Sequence, residues 1–556
     1  MLAALDARRL LAGDERSRKR LTLVACILGS GIALLDGTVV NVALPTIQRA
    51  LGGGLAAQQW VANGYLLTLG SLILLGGSLG DVFGERRIYE LGVGGFGLAS
   101  LACALAPSIG ALIAARIIQG VASALLTPSA LAVIVNTFRE EERGPAIGSW
   151  TAWGAIAGVL GPLAGGELLA LASWRWIFLI NLPLVVVCVA LIRLAIPPSQ
   201  PRTADGRRVD VVGALLGAAG LAGPVFALIE QPRLGWSSAG VLLPLLAGIA
   251  VLAVFVVYES RADDPMLPLG LFKRRNFLAG NIETLAMYAG LSILFFFLTL
   301  YLQQVGGYSP LQSGLATLPA TVIMFALSRR FGALADRFGP RLFMGAGPLL
   351  AAGGLLLLQL VGLRARYLPE VLPGLLVFSL GLTVTVAPLT AAVLAGSEHE
   401  AGIASGVNNA VARVAGLLGT AAVGAVVSAA FSSDLDRRMA ATPLTSAARA
   451  AVEGAKRLPL GRPDVHGLAS AQARALSRAA EGASLHSFHL GISISAALVA
   501  IGGVVGAVGI RNRSKVRART CPGGQLVGGS EEIARAHPLR LRGAGSSEAQ
   551  PTGSRA

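Results

Sequence analysis

Charge is what this sequence has least of. Only 14% of its 556 residues are Asp, Glu, Lys or Arg, against about 25% in an ordinary soluble chain. A soluble chain of this length divides into several domains, each needing its own polar shell. With 54% hydrophobic residues, lipid is the expected solvent instead. Lysine is nearly missing, with four against 42 arginines. Cysteine is scarce too: Cys26, Cys103 and Cys188 fall in apolar runs and Cys521 in a polar tail. That spacing fits neither a disulfide framework nor a zinc site. His486 and His489 have no third ligand nearby, so no metal is expected. No phosphate-binding loop occurs, which argues against ATP as fuel, and no cofactor is expected. The 46 basic residues outnumber the 30 acidic ones. In a soluble protein that excess suggests nucleic acid. In a membrane chain it marks cytoplasmic loops and tails, and no nucleic-acid partner is expected.

Long apolar runs, in contrast, are abundant. A spanning helix takes about 20 apolar residues, and lipid admits only helices or closed barrels. Fourteen runs qualify, near 21–45, 58–80, 88–107, 109–135, 145–169, 176–196, 210–230, 239–258, 277–302, 311–328, 342–362, 370–393, 402–430 and 487–510. The first follows Arg16, Arg18, Lys19 and Arg20 without a clear cleavage site, so it is expected to be retained. With both termini in the cytoplasm, the short inner loops carry sixteen Lys/Arg and the short outer loops five. That bias supports the even count and the orientation.

One charged island interrupts the apolar sequence: Gly76 to Arg87, GGSLGDVFGERR. A near copy, GALADRFGPR, runs from Gly332 to Arg341. At an offset of 255, six of ten positions agree: Gly77/Gly332, Leu79/Leu334, Asp81/Asp336, Phe83/Phe338, Gly84/Gly339 and Arg86/Arg341. Internal repeats mark transporter folds whose halves meet at the substrate. An offset of eight spans implies halves made of spans 1–6 and 9–14, with 7–8 inserted. The glycines suit a tight, rearranging turn. An Asp beside a helix end is expected to meet a helix N-terminus or an arginine, holding one face of a two-state protein shut. Gly77, Asp81, Gly84, Arg86 and Arg87, with Gly332, Asp336, Gly339 and Arg341, are the candidate gating residues.

The island resembles the signature loop of the major facilitator superfamily. Fourteen spans and further motifs narrow the resemblance to the fourteen-spanner drug:proton antiporter branch. Leu35-Asp36-Gly37-Thr38-Val39-Val40-Asn41-Val42-Ala43-Leu44-Pro45 resembles its first-helix motif. Arg116-Ile117-Ile118-Gln119-Gly120 is similar to the arginine motif tied to proton transfer. Gly154, Gly158, Gly161, Pro162, Gly165 and Gly166 in span 5 match the antiporter motif, and Asp210 and Gly213 a landmark of the inserted helices. The resemblance covers roughly residues 20–510. It implies an all-α polytopic membrane protein with the major facilitator fold: two six-helix halves plus two inserted helices. The expected divisions are a basic cytoplasmic tail (1–20), the first half (21–196), the inserted spans with their linkers (197–276), the second half (277–510) and a disordered cytoplasmic tail (511–556). The second half includes a long external loop at 431–487.

Ionisable groups deep in lipid are functional candidates. Asp36 lies nine residues before Pro45, roughly 14 Å from the outer end of span 1. Arg116 lies eight after Ser108, roughly 12 Å from the outer end of span 4. The two are therefore expected at one level, as a proton-coupling pair that a cationic substrate would contest at Asp36. Glu283, six residues into span 9, about 9 Å from its inner end, is a second proton or cation candidate; a carboxylate reaching water is the alternative. Arg413 in span 13 is expected to pack or hydrogen-bond. Span 5 offers a smooth glycine face for close helix packing, and Pro162 a bend. The expected partners are membrane lipid, an amphipathic drug-like substrate and protons; the sequence leaves the oligomeric state open, a monomer being compatible with it. The expected activity is export across a bacterial cytoplasmic membrane without covalent chemistry. A nutrient importer on the same fold, or a non-transporting membrane sensor, are the alternatives.

Overall fold

Each apolar run folds as a helix, because a continuous helix satisfies its own backbone hydrogen bonds where no water can. A computed structural model describes residues 15–198, 209–394 and 401–512; most of the two expected tails and part of the linker between spans 6 and 7 lie outside these, while Glu15 to Arg20 of the first expected tail begin a helix. All fourteen spans are present: Glu15–Leu51, Leu55–Phe83, Glu85–Leu105, Ile109–Thr137, Glu140–Leu171, Trp176–Ala195, Val211–Leu234, Ala239–Glu259, Arg275–Gln304, Pro310–Ala335, Pro340–Leu360, Tyr367–Val393, Ile403–Met439 and Ser470–Gly509. They are numbered 1 to 14 below. No strand occurs among the described residues.

Within each half the helices approach closely at glycines. A side chain at Gly76 of span 2 would strike the carbonyl of Ala124 in span 4. Gly354 of span 11 lies against the backbone of Phe378 in span 12 in the same manner. Without a hydrophobic drive between helices in lipid, such contacts supply the packing.

Two seams join the halves. Span 2 runs along span 13: Gln59 Nε2 donates to the Thr420 carbonyl at 2.6 Å, and Thr420 Oγ1 to Asn63 Oδ1 at 3.1 Å. Further along, Gly70 lies 3.3 Å, by its would-be Cβ, from the Cβ of Arg413. Span 5 meets span 10 where Gly314 faces the Pro162 carbonyl and Gly166 faces the Leu311 backbone. Nearer the other end of span 5, a Cβ at Gly158 would meet nothing within 4 Å.

The cores follow the seams. One cluster at the Gln303 end mixes both halves, joining Val39, Leu44 and Phe178 to Phe297, Tyr301 and Phe488. At the opposite end there are two cores, around Tyr89 and Phe96 in one half and around Phe277 and Met344 in the other, with Ala410 of span 13 packing on the first and Leu74 of span 2 on the second. The halves share one core at the Gln303 end (the closed end) and keep separate cores toward Gly84 and Gly339 (the parted end). The inserted hairpin, spans 7 and 8, straps the outside of the 2/13 seam, with Val225 and Ile229 against Leu67, Leu417 and Ala421. Trp60 Nε1 donates to Glu230 Oε1 at 3.0 Å, which ties span 7 to span 2.

The segment 431–487, expected as a long loop, is mostly helix. Span 13 continues to Met439, Ser446–Lys456 forms a short helix, and span 14 begins at Ser470. The reason is an apolar stripe too sparse to register as a span: Phe431, Leu435, Val452, Leu476 and Ala480 bury one another. This cap sits on the closed end, where the Arg457 carbonyl accepts from the Leu55 amide at 3.4 Å and Arg462 donates to Gln304 O at 3.2 Å.

Candidate functional site

Asp36 and Arg116 meet. Spans 1 and 4 carry them to one level, and Arg116 Nη1 donates to Asp36 Oδ2 in a short ion pair. Asp36 is 0% exposed and Arg116 1%. Burial of an ion pair is tolerable only when the remaining donors and lone pairs are met, and here a polar shell meets most of them. Gln119 Nε2 and Asn181 Nδ2 both donate to Asp36 Oδ1, at 3.0 and 3.1 Å. Arg116 Nε donates to the Val61 carbonyl at 3.1 Å, and Nη1 also reaches Gln119 Oε1 at 2.6 Å. Ser100 Oγ accepts from Gln119 at 2.8 Å and Asn181 at 3.2 Å. The guanidinium lies 4.3 Å over the Tyr65 ring, a cation–π contact strengthened by exclusion of water.

The site therefore belongs to spans 1, 2, 3, 4 and 6 of one half, rather than to two helices. Gln119 stands three residues after Arg116, which puts both on one helix face. Asn181 is a lone amide in an apolar run, a signal of the same kind as Asp36 that sequence reading passed over. Ser100 and Tyr65 carried no such signal. In this arrangement Arg116, Gln119 and Asn181 all donate to the Asp36 carboxylate.

Glu283 is elsewhere. It is 0% exposed and neither carboxyl oxygen has a hydrogen-bond partner among the described residues. It faces spans 11 and 14, where Gly506 and the Met344 carbonyl close around its Oε2. It does not reach water, contrary to the alternative reading. Its position is also not the repeat of Asp36: subtracting the offset of 255 gives Leu28.

Span 5 lies on span 1 at Asp36 itself. A Cβ at Gly161 would collide with Thr38 Oγ1 and stand 3.1 Å from the Leu35 carbonyl. One at Gly165 would lie 3.0 Å from Val39 Cγ1, and one at Gly154 3.2 Å from Leu34 Cδ1. Gly166 and Pro162, on the same helix, touch span 10 of the other half. These span 5 residues thus connect Asp36's turn to the seam.

The two candidate gating loops are single-residue helix breaks. Gly84 alone separates spans 2 and 3, and Gly339 alone separates the helix ending at Phe338 from span 11. Their φ/ψ values, 93°/125° and 87°/149°, lie where only glycine is comfortable. Gly77 packs at ordinary distance on Pro128, Gly332 on Ala387. Arg341 Nε donates to the Ala507 carbonyl at 2.6 Å, a cation at the end of span 14 as the helix dipole favours. Arg86 is half-buried and Arg87 exposed. Asp81 departs from expectation: it is exposed and, among the described residues, makes no hydrogen bond or ion pair. The acid that turns inward is Glu85, which accepts from Asn136 Nδ2 of span 4 at 2.6 Å. At the first position of its helix, Glu85 points back beneath Gly80, whereas Asp81 is exposed. Asp336 lies on the corresponding helix, its side chain outside the described residues.

Comparison with known proteins agrees with this architecture. The model of the Major Facilitator Superfamily matches residues 26–420, more than half of the chain. The chain belongs to the major facilitator superfamily. Among curated relatives, the puromycin resistance protein pur8 of Streptomyces alboniger is 38% identical over 76% of this chain and 84% of its own length. The methylenomycin A resistance protein of Streptomyces coelicolor is 35% identical over 73% and 85%. The tetracenomycin C resistance and export protein of Streptomyces glaucescens is 34% identical over 75% and 77%. Among solved structures, a bacterial homologue of the human lysosomal transporter Spinster superposes with a TM-score of 0.56, covering 90% of this chain and all of the other at 17% identity. A proton-dependent oligopeptide transporter gives 0.57 over 87% and 97% at 12% identity. These two likenesses carry the fold alone.

Proposed function

We propose that this major facilitator protein exports amphipathic drugs or antibiotics from a bacterial cell, exchanging them for protons by alternating access. The observation that carries the reading is the sealed Asp36–Arg116 pair within a chain whose relatives are named for antibiotic resistance and export. Arginine does not change protonation in such a site. Asp36 is then the proton carrier, and the arginine the group that tells it when to let go. In the described state three donors favour the carboxylate. Proton uptake requires that Arg116 withdraw, which a relative movement of spans 1 and 4 would accomplish. Span 5, lying on span 1 beside Asp36 and on span 10 across the seam, transmits rocking of the halves to that pair. Gly84 and Gly339 let the helices at the parted end swing.

In this reading both termini lie in the cytoplasm and the parted end faces it. The protein sits in the cytoplasmic membrane. Glu283 serves as a second proton site, reached when spans 9, 11 and 14 separate. The test is expression in an efflux-deficient bacterium with a panel of antibiotics and dyes. Wild type is expected to raise resistance to a subset of the panel, and Asp36→Asn to abolish proton-driven efflux while the protein still reaches the membrane. Full resistance from Asp36→Asn would end the reading.

A further inference from the structure

Arg413 is a charge that the Asp36 site leaves unused. It stands on span 13 with its Nε buried and without a hydrogen-bond partner. No carboxylate among the described residues pairs with it. Gly70 of span 2 closes on its Cβ, and the phenols its charge acts on are Tyr65 of span 2 and Tyr288 of span 9. One tyrosine comes from each half, so the guanidinium lies where the halves face each other. Unlike Arg116 it is half-buried rather than sealed. Asn409, one turn earlier on the same face, is exposed.

A guanidinium inside a membrane calls for a counter-charge. The acids nearby cannot supply one. Asp36 is taken by Arg116, Gln119 and Asn181. Glu283 is enclosed by spans 9, 11 and 14. Asp81 and Glu85 lie at the hinge end. Among the described residues, Arg413 is therefore left without a compensating carboxylate.

We infer that the missing counter-charge comes with the cargo: the exported molecule is an amphipathic anion whose carboxylate, or an equally acidic group, docks on Arg413. Guanidinium offers a planar fork of donors that matches a carboxylate. Tyr288, half-buried beside it, gives the apolar body a ring to lie against. This rests on the transport reading above and replaces the cationic cargo expected at Asp36. It has an electrical consequence. One proton inward and one monoanion outward move two charges in the same sense, whereas one-for-one exchange with a monocation moves none. Membrane potential alone should then drive the cycle.

The test uses the full-length protein in proteoliposomes with three matched probes: 1-pyrenebutyrate, 1-pyrenebutanol and 1-pyrenebutylamine. Wild type is expected to move the butyrate at least tenfold faster than the amine, and to do so under a potential without a pH gradient. Arg413→Met is expected to lower the butyrate-to-butanol rate ratio at least tenfold, and Arg413→Lys to keep most of it. Thermal unfolding in detergent monitors folding, and the ratio is read within each variant, so a general loss of activity cancels. An unchanged ratio in Arg413→Met, or preference of wild type for the amine, overturns the inference and leaves the transport reading standing. Movement of none of the three by wild type overturns both.

Discussion

Gly161 of span 5 rests directly on Thr38 of span 1, two residues beyond Asp36. Thr38 Oγ1 is itself occupied, donating to the Leu35 carbonyl at 2.9 Å, so it has little freedom to yield. The helix that forms the seam therefore bears on the backbone turn that holds the buried acid. Gly158, one turn away on span 5, has open space before it.

Gly161→Ala is expected to force spans 1 and 5 apart, at about 1–3 kcal/mol for overpacking. Its transition in a thermal unfolding assay should fall clearly below wild type. Thr38→Ala added to it should restore part of the loss by removing the nearest atom. Gly158→Ala, in contrast, should unfold at the wild-type temperature.

Removing one member of the buried pair should hurt more than removing both. Arg116→Met leaves Asp36 charged and enclosed, a change worth about 3–5 kcal/mol for buried pairs. Asp36→Asn combined with Arg116→Met should recover most of that in detergent unfolding, since the amide still accepts from Gln119. Equal stability of the single and double variants would mean that the pair is not formed.

The two hinge glycines should resist every replacement. At φ near +90° with ψ above 120°, even Asn, which tolerates the left-handed helical region, gains nothing. Gly84→Asn and Gly84→Ala should each cost about 1–3 kcal/mol, as should the same changes at Gly339. Comparable unfolding temperatures for all four and the wild type would contradict the backbone geometry.

The closed end depends on few polar bonds between halves. Gln303 Nε2 of span 9 donates to Val42 O of span 1 at 2.9 Å, and Gln59 reaches Thr420 O. Each is worth about 1 kcal/mol, so Gln303→Leu and Gln59→Leu should each raise opening of this end about fivefold. Maleimide labelling of Ala316→Cys, a buried position in the shared core, measures that opening once the native cysteines are replaced.

Much of the architecture follows from sequence. Twenty-residue apolar runs can be nothing but helices in lipid, which is why all fourteen are found, their ends shifted by a few residues except where span 13 runs on and span 14 begins early. The repeat of the Gly76–Arg87 island located the equivalent hinges because a positive φ demands glycine at the same place twice. Depth along a helix is arithmetic at about 1.5 Å per residue, so Asp36 and Arg116 could be placed at one level before their contact was seen.

Direction around the helix was a different matter. Which way Asp81, Glu85 or Glu283 points depends on the neighbours each helix acquires, and composition does not contain those neighbours. The chain order alone set how many helices there are, where they hinge and which charges lie deep. Only packing decided that Asp36 is enclosed by Arg116, Gln119 and Asn181 while Arg413 is left uncompensated between the halves. A helix carries its residues at fixed heights, but its rotation is settled by the shapes of the surfaces it meets.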